Sequence, residues 1–129
     1  MFVHTSIRTR NLDKSINFYT KFLDLKLQSR MEIPQNNAEI VFLRDPEGKG
    51  ATLELTFLKN QKKFLQPDHK NRLFDHLAFE VENMEKTIAT MRKDGVTVAD
   101  EPFRLTPNGS LLAFIEDPDG TLIELIEKK

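Results

Sequence analysis

Two histidines and two glutamates recur at matching places in this chain, and their side chains suit a divalent metal ion. His4 opens the run VHTSIRT, and His76 opens HLAFEV 72 residues later. Glu54 lies in DPEGKGATLEL, and Glu124 lies in DPDGTLIEL 70 residues later. Imidazole and carboxylate ligands together bind Zn²⁺, Ni²⁺, Co²⁺ or Fe²⁺, whereas Ca²⁺ and Mg²⁺ prefer oxygen ligands. The repetition predicts one metal site built by a duplicated fold.

Each of these residues also has an ordinary structural interpretation when it is considered alone. A strand histidine is often a hydrogen-bonded structural residue, and a glutamate in a strand such as IELIE often faces solvent. The matched positions in both halves of a chain with only three histidines favour the metal site. The third histidine, His69, has no counterpart and is interpreted as a solvated loop residue. The aspartates of the Asp-Pro-x-Gly segments are assigned to turn formation: Asp45, Asp117 and Asp119.

The first half has the pattern of a β-α-β-β-β unit. Residues 2–9 alternate between two faces, which places His4 and Arg8 on the same side of a strand. Asn11 is a suitable N-cap for an amphipathic helix that runs to about Leu23. Three further strands are predicted at Lys26–Ile33, Ala38–Arg44 and Ala51–Leu58.

The second half repeats this order of elements. A strand is predicted at Phe74–Val81, and Asn83 then caps a helix that stops at Gly95. Three strands are predicted after the helix, at Val96–Ala99, Ser110–Glu116 and Thr121–Glu127. The last two form a hairpin around the turn DPDG.

The fold class that follows is α+β, with two βαβββ modules at residues 1–58 and 73–129 in a single domain that spans 1–129. Residues 59–72 are polar and lack periodicity, so they are predicted to be the connector. Each sheet has one face covered by its helix. We expect the two open faces to curve into a half-barrel around a metal cleft, where the repeated histidines and glutamates converge.

Charge and composition exclude several classes of function. The chain of 129 residues has 19 Lys and Arg against 20 Asp and Glu, so its net charge of −1 does not indicate a nucleic-acid partner. It has no cysteine, which excludes disulfides and thiolate nucleophiles and agrees with a reducing compartment. The longest apolar runs are too short for a membrane span or a signal peptide. We therefore expect a soluble cytoplasmic protein with no membrane partner.

Several segments resemble glyoxalase I, the lactoylglutathione lyase family of the vicinal oxygen chelate superfamily. They are HTSIRTRNLDKSINFYTKFL, LELTF, DHLAFEVEN and AFIEDPDGTLIELIE, and they extend over essentially the whole chain. The resemblance implies that a divalent ion is bound by His4, Glu54, His76 and Glu124. It also implies methylglyoxal detoxification, in which the hemithioacetal of methylglyoxal and glutathione is isomerised to S-lactoylglutathione.

The same resemblance implies roles for the remaining site residues. Glu124 is expected to be the principal base that moves a carbon-bound proton, with Glu54 as a ligand and second base. Arg8 and Arg72 resemble arginines that hold carboxylates of glutathione, although a surface salt bridge is the alternative for Arg8. The short chain resembles the compact class of the family, so Ni²⁺ or Co²⁺ is expected, with Zn²⁺ as the alternative. A homodimer with two sites between subunits is expected.

Other functions of the superfamily stay open at this point. A ring-cleaving dioxygenase or an epoxide-opening thiol transferase commonly uses two histidines and one glutamate, so the fourth ligand at Glu54 argues against both. An epimerase commonly has glutamine in place of that glutamate. A non-catalytic module that binds a metal or a small molecule is the alternative from a different class. Leu58 stands where the family often has an asparagine that contacts glutathione, so another thiol is also an alternative.

Overall fold

Each half of the chain forms a four-stranded mixed sheet and one α-helix, in a computed structural model that describes residues 1–129. The first unit, Met1–Leu65, contains β1 (His4–Arg8), α1 (Leu12–Phe22), β2 (Lys26–Ile33), a 3₁₀ turn (Pro34–Asn36), β3 (Ala38–Arg44) and β4 (Thr52–Leu58). The second unit, Gln66–Lys129, contains β5 (Leu77–Val81), α2 (Met84–Lys93), β6 (Val98–Arg104), β7 (Leu111–Glu116) and β8 (Leu122–Glu127). The predicted α+β class with two βαβββ modules is confirmed.

The strands follow the same order in both sheets, β1-β4-β3-β2 and β5-β8-β7-β6. β1 is parallel to β4 and β5 is parallel to β8, while the other neighbouring strands are antiparallel. A parallel pair needs a long crossover, which the helix and the two intervening strands provide in each unit. The first strand of each unit therefore lies beside the last, and residues about 50 positions apart, such as His4 and Thr52, become neighbours.

Both helices begin at an asparagine cap, as predicted. The side chain of Asn11 accepts a hydrogen bond from the backbone nitrogen of Lys14 at 3.1 Å, and Asn83 accepts one from Lys86 at 3.0 Å. Both caps have extended backbone angles, φ −146° and φ −141°, which end the preceding segment and start the helix. No helix in the structure combines the length and the apolarity needed to cross a membrane.

Each helix packs on one face of its own sheet and forms the core of that unit with it. The buried apolar side chains of the first unit are Leu12, Phe18, Tyr19, Leu23, Ala38, Val41, Leu43, Leu53 and Leu55. Those of the second unit are Val81, Met84, Ile88, Met91, Leu112, Ala113, Ile115, Ile123 and Leu125. Because strand side chains alternate, residues between these positions point to the opposite sheet face.

β6 differs most from the sequence prediction. A short strand was expected at Val96–Ala99, whereas the strand runs over Val98–Arg104 and includes Pro102. β6 lies at the edge of its sheet, where proline removes no required ladder hydrogen bond. Its pairing with β7 has register shifts near Asp100, which obscure the alternation that the prediction needs. The first strand of this unit also starts later than expected, at Leu77 and not at Phe74.

Candidate functional site

His4 and Glu54 lie on the same face of the first sheet, on neighbouring parallel strands. The residue opposite Glu54 on β1 is Ser6, two positions after His4 and therefore on the same side. Thr56 Oγ1 donates a hydrogen bond to Glu54 Oε1 at 3.2 Å and also lies 2.9 Å from Ser6 Oγ. The His4 ring packs edge-on against Phe42, with centroids 5.3 Å apart. Glu54 is thus held by a hydroxyl, while His4 is exposed and rests on an aromatic ring.

His76 and Glu124 have the corresponding places in the second unit. His76 directly precedes β5, and Glu124 on β8 is opposite Ala78. His76 Nε2 lies 3.7 Å from Glu124 Oε1, and both side chains are partly exposed. The His76 ring packs edge-on against Phe114, again with centroids 5.3 Å apart. The structure therefore brings one histidine and one glutamate together in this unit.

Phe42 and Phe114 are the aromatic partners that the sequence interpretation missed. Each is the strand neighbour of the glutamate in its own unit, so Phe42 pairs with Glu54 and Phe114 with Glu124. The two phenylalanines are separated by 72 residues, the same offset as the histidines. Aligning the two halves at the histidines would have identified them. Each ring contacts the imidazole of its own unit in the edge-to-face geometry that aromatic pairs prefer.

The His76 and Glu124 pair fits two adjacent positions on one divalent ion. Metal bonds of about 2.0–2.2 Å place neighbouring ligand atoms about 3–4 Å apart. The separation of 3.7 Å between His76 Nε2 and Glu124 Oε1 lies in this range. The structure contains no group of three or more His, Asp or Glu side chains that could hold a metal ion. His76 and Glu124 are two of the four ligands that the sequence predicts.

Asp75 is a further polar partner of His76 that the sequence interpretation missed. Its Oδ1 atom lies 2.6 Å from His76 Nδ1, on the side of the ring opposite to the nitrogen that faces Glu124. The hydrogen bond with His76 is the main cause that lowers the pKa of the Asp75 carboxyl, and the charge of Arg72 adds to it. The Asp75 carboxylate is thus ionised at neutral pH and can only accept a hydrogen bond.

The two arginines predicted to bind substrate have different surroundings. Arg8 is exposed on the His4 face of β1, as predicted, and its Nη1 donates to Gln61 Oε1 at 3.2 Å. Arg72 Nε donates to the Asp75 carbonyl oxygen at 3.1 Å, and its Nη2 lies 3.3 Å from Asp75 Oδ1. Arg72 Nη1 is buried without a hydrogen-bond partner. An anionic group of a ligand would satisfy this donor.

The third histidine and the turn aspartates lie outside this arrangement. His69 is exposed in a turn between the two units' strands, as expected, and its Nε2 also lies 2.6 Å from Glu116 Oε1. Asp117 Oδ1 accepts hydrogen bonds from the backbone nitrogens of Asp119 and Thr121, both at 2.9 Å. Asp45 Oδ2 accepts similar bonds in the first unit. These aspartates form turns, as predicted.

Comparison with known proteins gives a match along nearly the whole chain. Residues 1–125 match the family model for the Glyoxalase/Bleomycin resistance protein/Dioxygenase superfamily. The chain is 34% identical over 128 residues to a lactoylglutathione lyase from Escherichia coli O157:H7, which covers 98% of this chain and 92% of the bacterial protein.

Solved structures with a similar fold include two proteins described as glyoxalase I. Glyoxalase I from Leishmania major, described as trypanothione-dependent, has a TM-score of 0.81 and 34% identity over 98% of this chain and 86% of that one. Glyoxalase I from Zea mays has a TM-score of 0.82 and 26% identity over 98% of this chain. The match covers 44% of the maize chain, so the present chain spans less than half of that protein.

Proposed function

Because this chain belongs to the Glyoxalase/Bleomycin resistance protein/Dioxygenase superfamily, and within it to the lactoylglutathione lyases, we propose that it detoxifies methylglyoxal. The substrate is the hemithioacetal of methylglyoxal and a thiol such as glutathione, and the product with glutathione is S-lactoylglutathione. The main supporting observation is the histidine and glutamate pair that recurs with the same aromatic partner in each unit.

In this proposal His4, Glu54, His76 and Glu124 are the four ligands of one divalent ion, Ni²⁺ or Co²⁺, with Zn²⁺ as the alternative. Two nitrogen and two carboxylate donors without a thiolate suit these ions. A bound ion of this kind supplies a Lewis acid that polarises two vicinal oxygens of the substrate. The half-barrel cleft expected from the sequence belongs to the same proposal, as do a homodimer and a cytoplasmic location.

The side chains of this protein divide the remaining tasks. Glu124 removes the carbon-bound proton of the hemithioacetal and returns it to the neighbouring carbon. Glu54 acts as a ligand and second base, and its hydrogen bond from Thr56 holds the carboxylate in place. Arg8 and Arg72 bind carboxylates of the thiol, and the unpartnered Nη1 of Arg72 supports this assignment. The thiol itself differs among relatives, since the Leishmania major enzyme is described as trypanothione-dependent.

Metal reconstitution tests this proposal directly. The protein is stripped with a chelator and supplied with Ni²⁺, Co²⁺, Zn²⁺ or Fe²⁺ in turn. Isomerisation is then assayed with hemithioacetals of methylglyoxal made from glutathione, trypanothione and other small thiols. We expect no turnover without metal and restored turnover with Ni²⁺ or Co²⁺. Absence of turnover with every combination of metal and thiol would contradict the proposed function.

The chain offers a matched control for the metal ligands. His76→Ala removes a proposed ligand, so metal binding and metal-restored turnover should both be lost. His69→Ala removes the histidine that pairs with Glu116, and this variant should keep both properties. Equal losses in the two variants would indicate a general effect of histidine removal and would argue against a ligand role for His76.

A further inference from the structure

The imidazole of His76 lies between two carboxylates, and each of them faces a different ring nitrogen. Asp75 Oδ1 lies 2.6 Å from Nδ1, within hydrogen-bond distance. Glu124 Oε1 lies 3.7 Å from Nε2, which is too far for a direct hydrogen bond. Only the contact with Asp75 therefore constrains the position of the ring proton.

This geometry selects one tautomer of the neutral imidazole. An ionised carboxylate has no proton to donate, so the hydrogen bond to Asp75 requires the proton on Nδ1. The lone pair of His76 is then on Nε2, the nitrogen that faces Glu124. In known metal sites, a carboxylate that accepts the second N–H of a histidine ligand fixes the ring and increases its basicity.

Arg72 holds the carboxylate that makes this contact. Its Nη2 lies 3.3 Å from Asp75 Oδ1, and its Nε donates to the Asp75 carbonyl oxygen at 3.1 Å. The guanidinium thus contacts both the side chain and the backbone of one residue, which orients an aspartate whose side chain is otherwise 74% exposed. Arg72, Asp75 and His76 form a chain of contacts that ends at the ring.

The first unit has no equivalent of this arrangement. At the offset of 72 residues, the counterpart of Asp75 is Val3, whose apolar side chain cannot accept a hydrogen bond from His4. The His4 ring packs edge-on against Phe42. The two histidines of the proposed set therefore differ in the group that controls their tautomer.

We propose that Asp75 is a positioning residue that keeps the proton of His76 on Nδ1 and thereby makes His76 the stronger of the two imidazole ligands. This inference rests on the proposed metal-dependent function. It gives Asp75 a role that its counterpart in the first unit, Val3, does not have. Arg72 holds Asp75, and Asp75 in turn holds the His76 ring. This arrangement occurs in the second unit only.

Nitrogen-15 correlation spectra of the imidazoles and metal titrations test the role of Asp75 on the full chain. In the metal-free wild-type protein we expect the Nδ1-protonated tautomer at His76, and in Asp75→Ala a mixture of tautomers. The affinity for Ni²⁺ and for Zn²⁺, measured against a competing chelator, should fall about 10–100-fold in Asp75→Ala. Asp75→Asn, which keeps the shape but lacks the charge, should have an intermediate effect and replaces the alanine variant if that one fails to fold.

Two controls separate this role from a general loss of charge. The signals of His4 should not change in Asp75→Ala, because no aspartate precedes that residue. Glu80→Ala removes an exposed carboxylate from β5 and should leave both tautomer and affinity unchanged. If the wild-type protein binds the ions and Asp75→Ala keeps the wild-type tautomer and affinity, the role of Asp75 is overturned while the proposed function stands. A wild-type protein that binds neither ion would overturn the metal-dependent function and the ligand role of His76 together.

Discussion

Glu54 and Glu124 have matching places in the two sheets but different immediate neighbours. Two residues after Glu54 is Thr56, whose hydroxyl donates to the Glu54 carboxylate. Two residues after Glu124 is Ile126, whose side chain has no hydrogen-bond donor. A carboxylate without a hydroxyl partner keeps its lone pairs for a substrate proton, whereas a hydrogen-bonded carboxylate is better suited to a fixed ligand role. The local chemistry therefore agrees with Glu124 as the principal base.

Glu124→Gln tests this difference between the two glutamates. Glutamine keeps the size of the side chain but cannot accept the proton, so kcat should fall by about 10²–10⁴-fold. Turnover is measured together with the metal content of the same sample, since loss of metal would lower activity for a different reason. Glu80→Gln, an exposed residue on β5, is the matched control and should have wild-type turnover. Near-full activity of Glu124→Gln with bound metal would remove Glu124 from the role of base.

The sequence revealed those residues of the candidate site that occur at matching positions in both halves of the chain. His4, Glu54, His76 and Glu124 were selected because each has a counterpart at the same place in the other half. Asp75 was missed for the opposite reason, since its counterpart Val3 has different chemistry. The duplication reveals residues that both halves share, whereas a residue present in one half only has no counterpart to reveal it. The hydrogen bond between Asp75 and His76 depends on side-chain orientation, which the sequence does not give.

At the scale of elements, capping residues and apolar spacing predicted both helices correctly, whereas the bounds of strand β6 were predicted wrongly. Asn11 and Asn83 are followed by apolar residues at helical spacing, and both helices begin after them. β6 was predicted too short because Asp100, Glu101 and Pro102 are unusual in strands. β6 tolerates these residues because it lies at the edge of its sheet. Its edge position results from pairing between strands that are distant in the sequence, so neighbouring residues do not reveal it.

The helix caps give a stability prediction at this scale. Asn11→Ala and Asn83→Ala each remove the side-chain acceptor for one backbone N–H of the first helical turn, so each should lower the free energy of unfolding by about 1 kcal/mol. The effect is measured by urea denaturation. Asn11→Ser and Asn83→Ser keep an acceptor and should lose much less stability. Equal losses for alanine and serine would show that the cap hydrogen bonds, at 3.1 and 3.0 Å, contribute little.

At the scale of the whole molecule, the proposed set of ligands cannot be completed by one unit. Each unit holds one histidine and one glutamate of the four proposed ligands. A complete set therefore needs a first unit and a second unit, either from the same chain or from two chains. The sequence is identical in both cases, so no residue pattern distinguishes them. The proposed homodimer corresponds to the second case, in which each site has ligands from both subunits.

Mixing two inactive variants distinguishes these cases. One variant carries His4→Ala and Glu54→Gln, and the other carries His76→Ala and Glu124→Gln. In a mixed dimer with sites between subunits, one site has both intact units, whereas sites within single chains always contain a mutated unit. If the chains exchange freely, half of the dimers are mixed and each has one intact site, so about a quarter of wild-type turnover should return.

The measurement is turnover of the mixed sample after partial unfolding and refolding together, compared with each variant treated in the same way alone. A mixture of wild-type protein with either variant provides the control for recovery from refolding. Restored turnover in the variant mixture requires ligands from two chains, because neither chain has a complete set. Mixed dimers that form, as detected by differently tagged subunits, but remain inactive would contradict a site shared between subunits and would assign all four ligands to one chain.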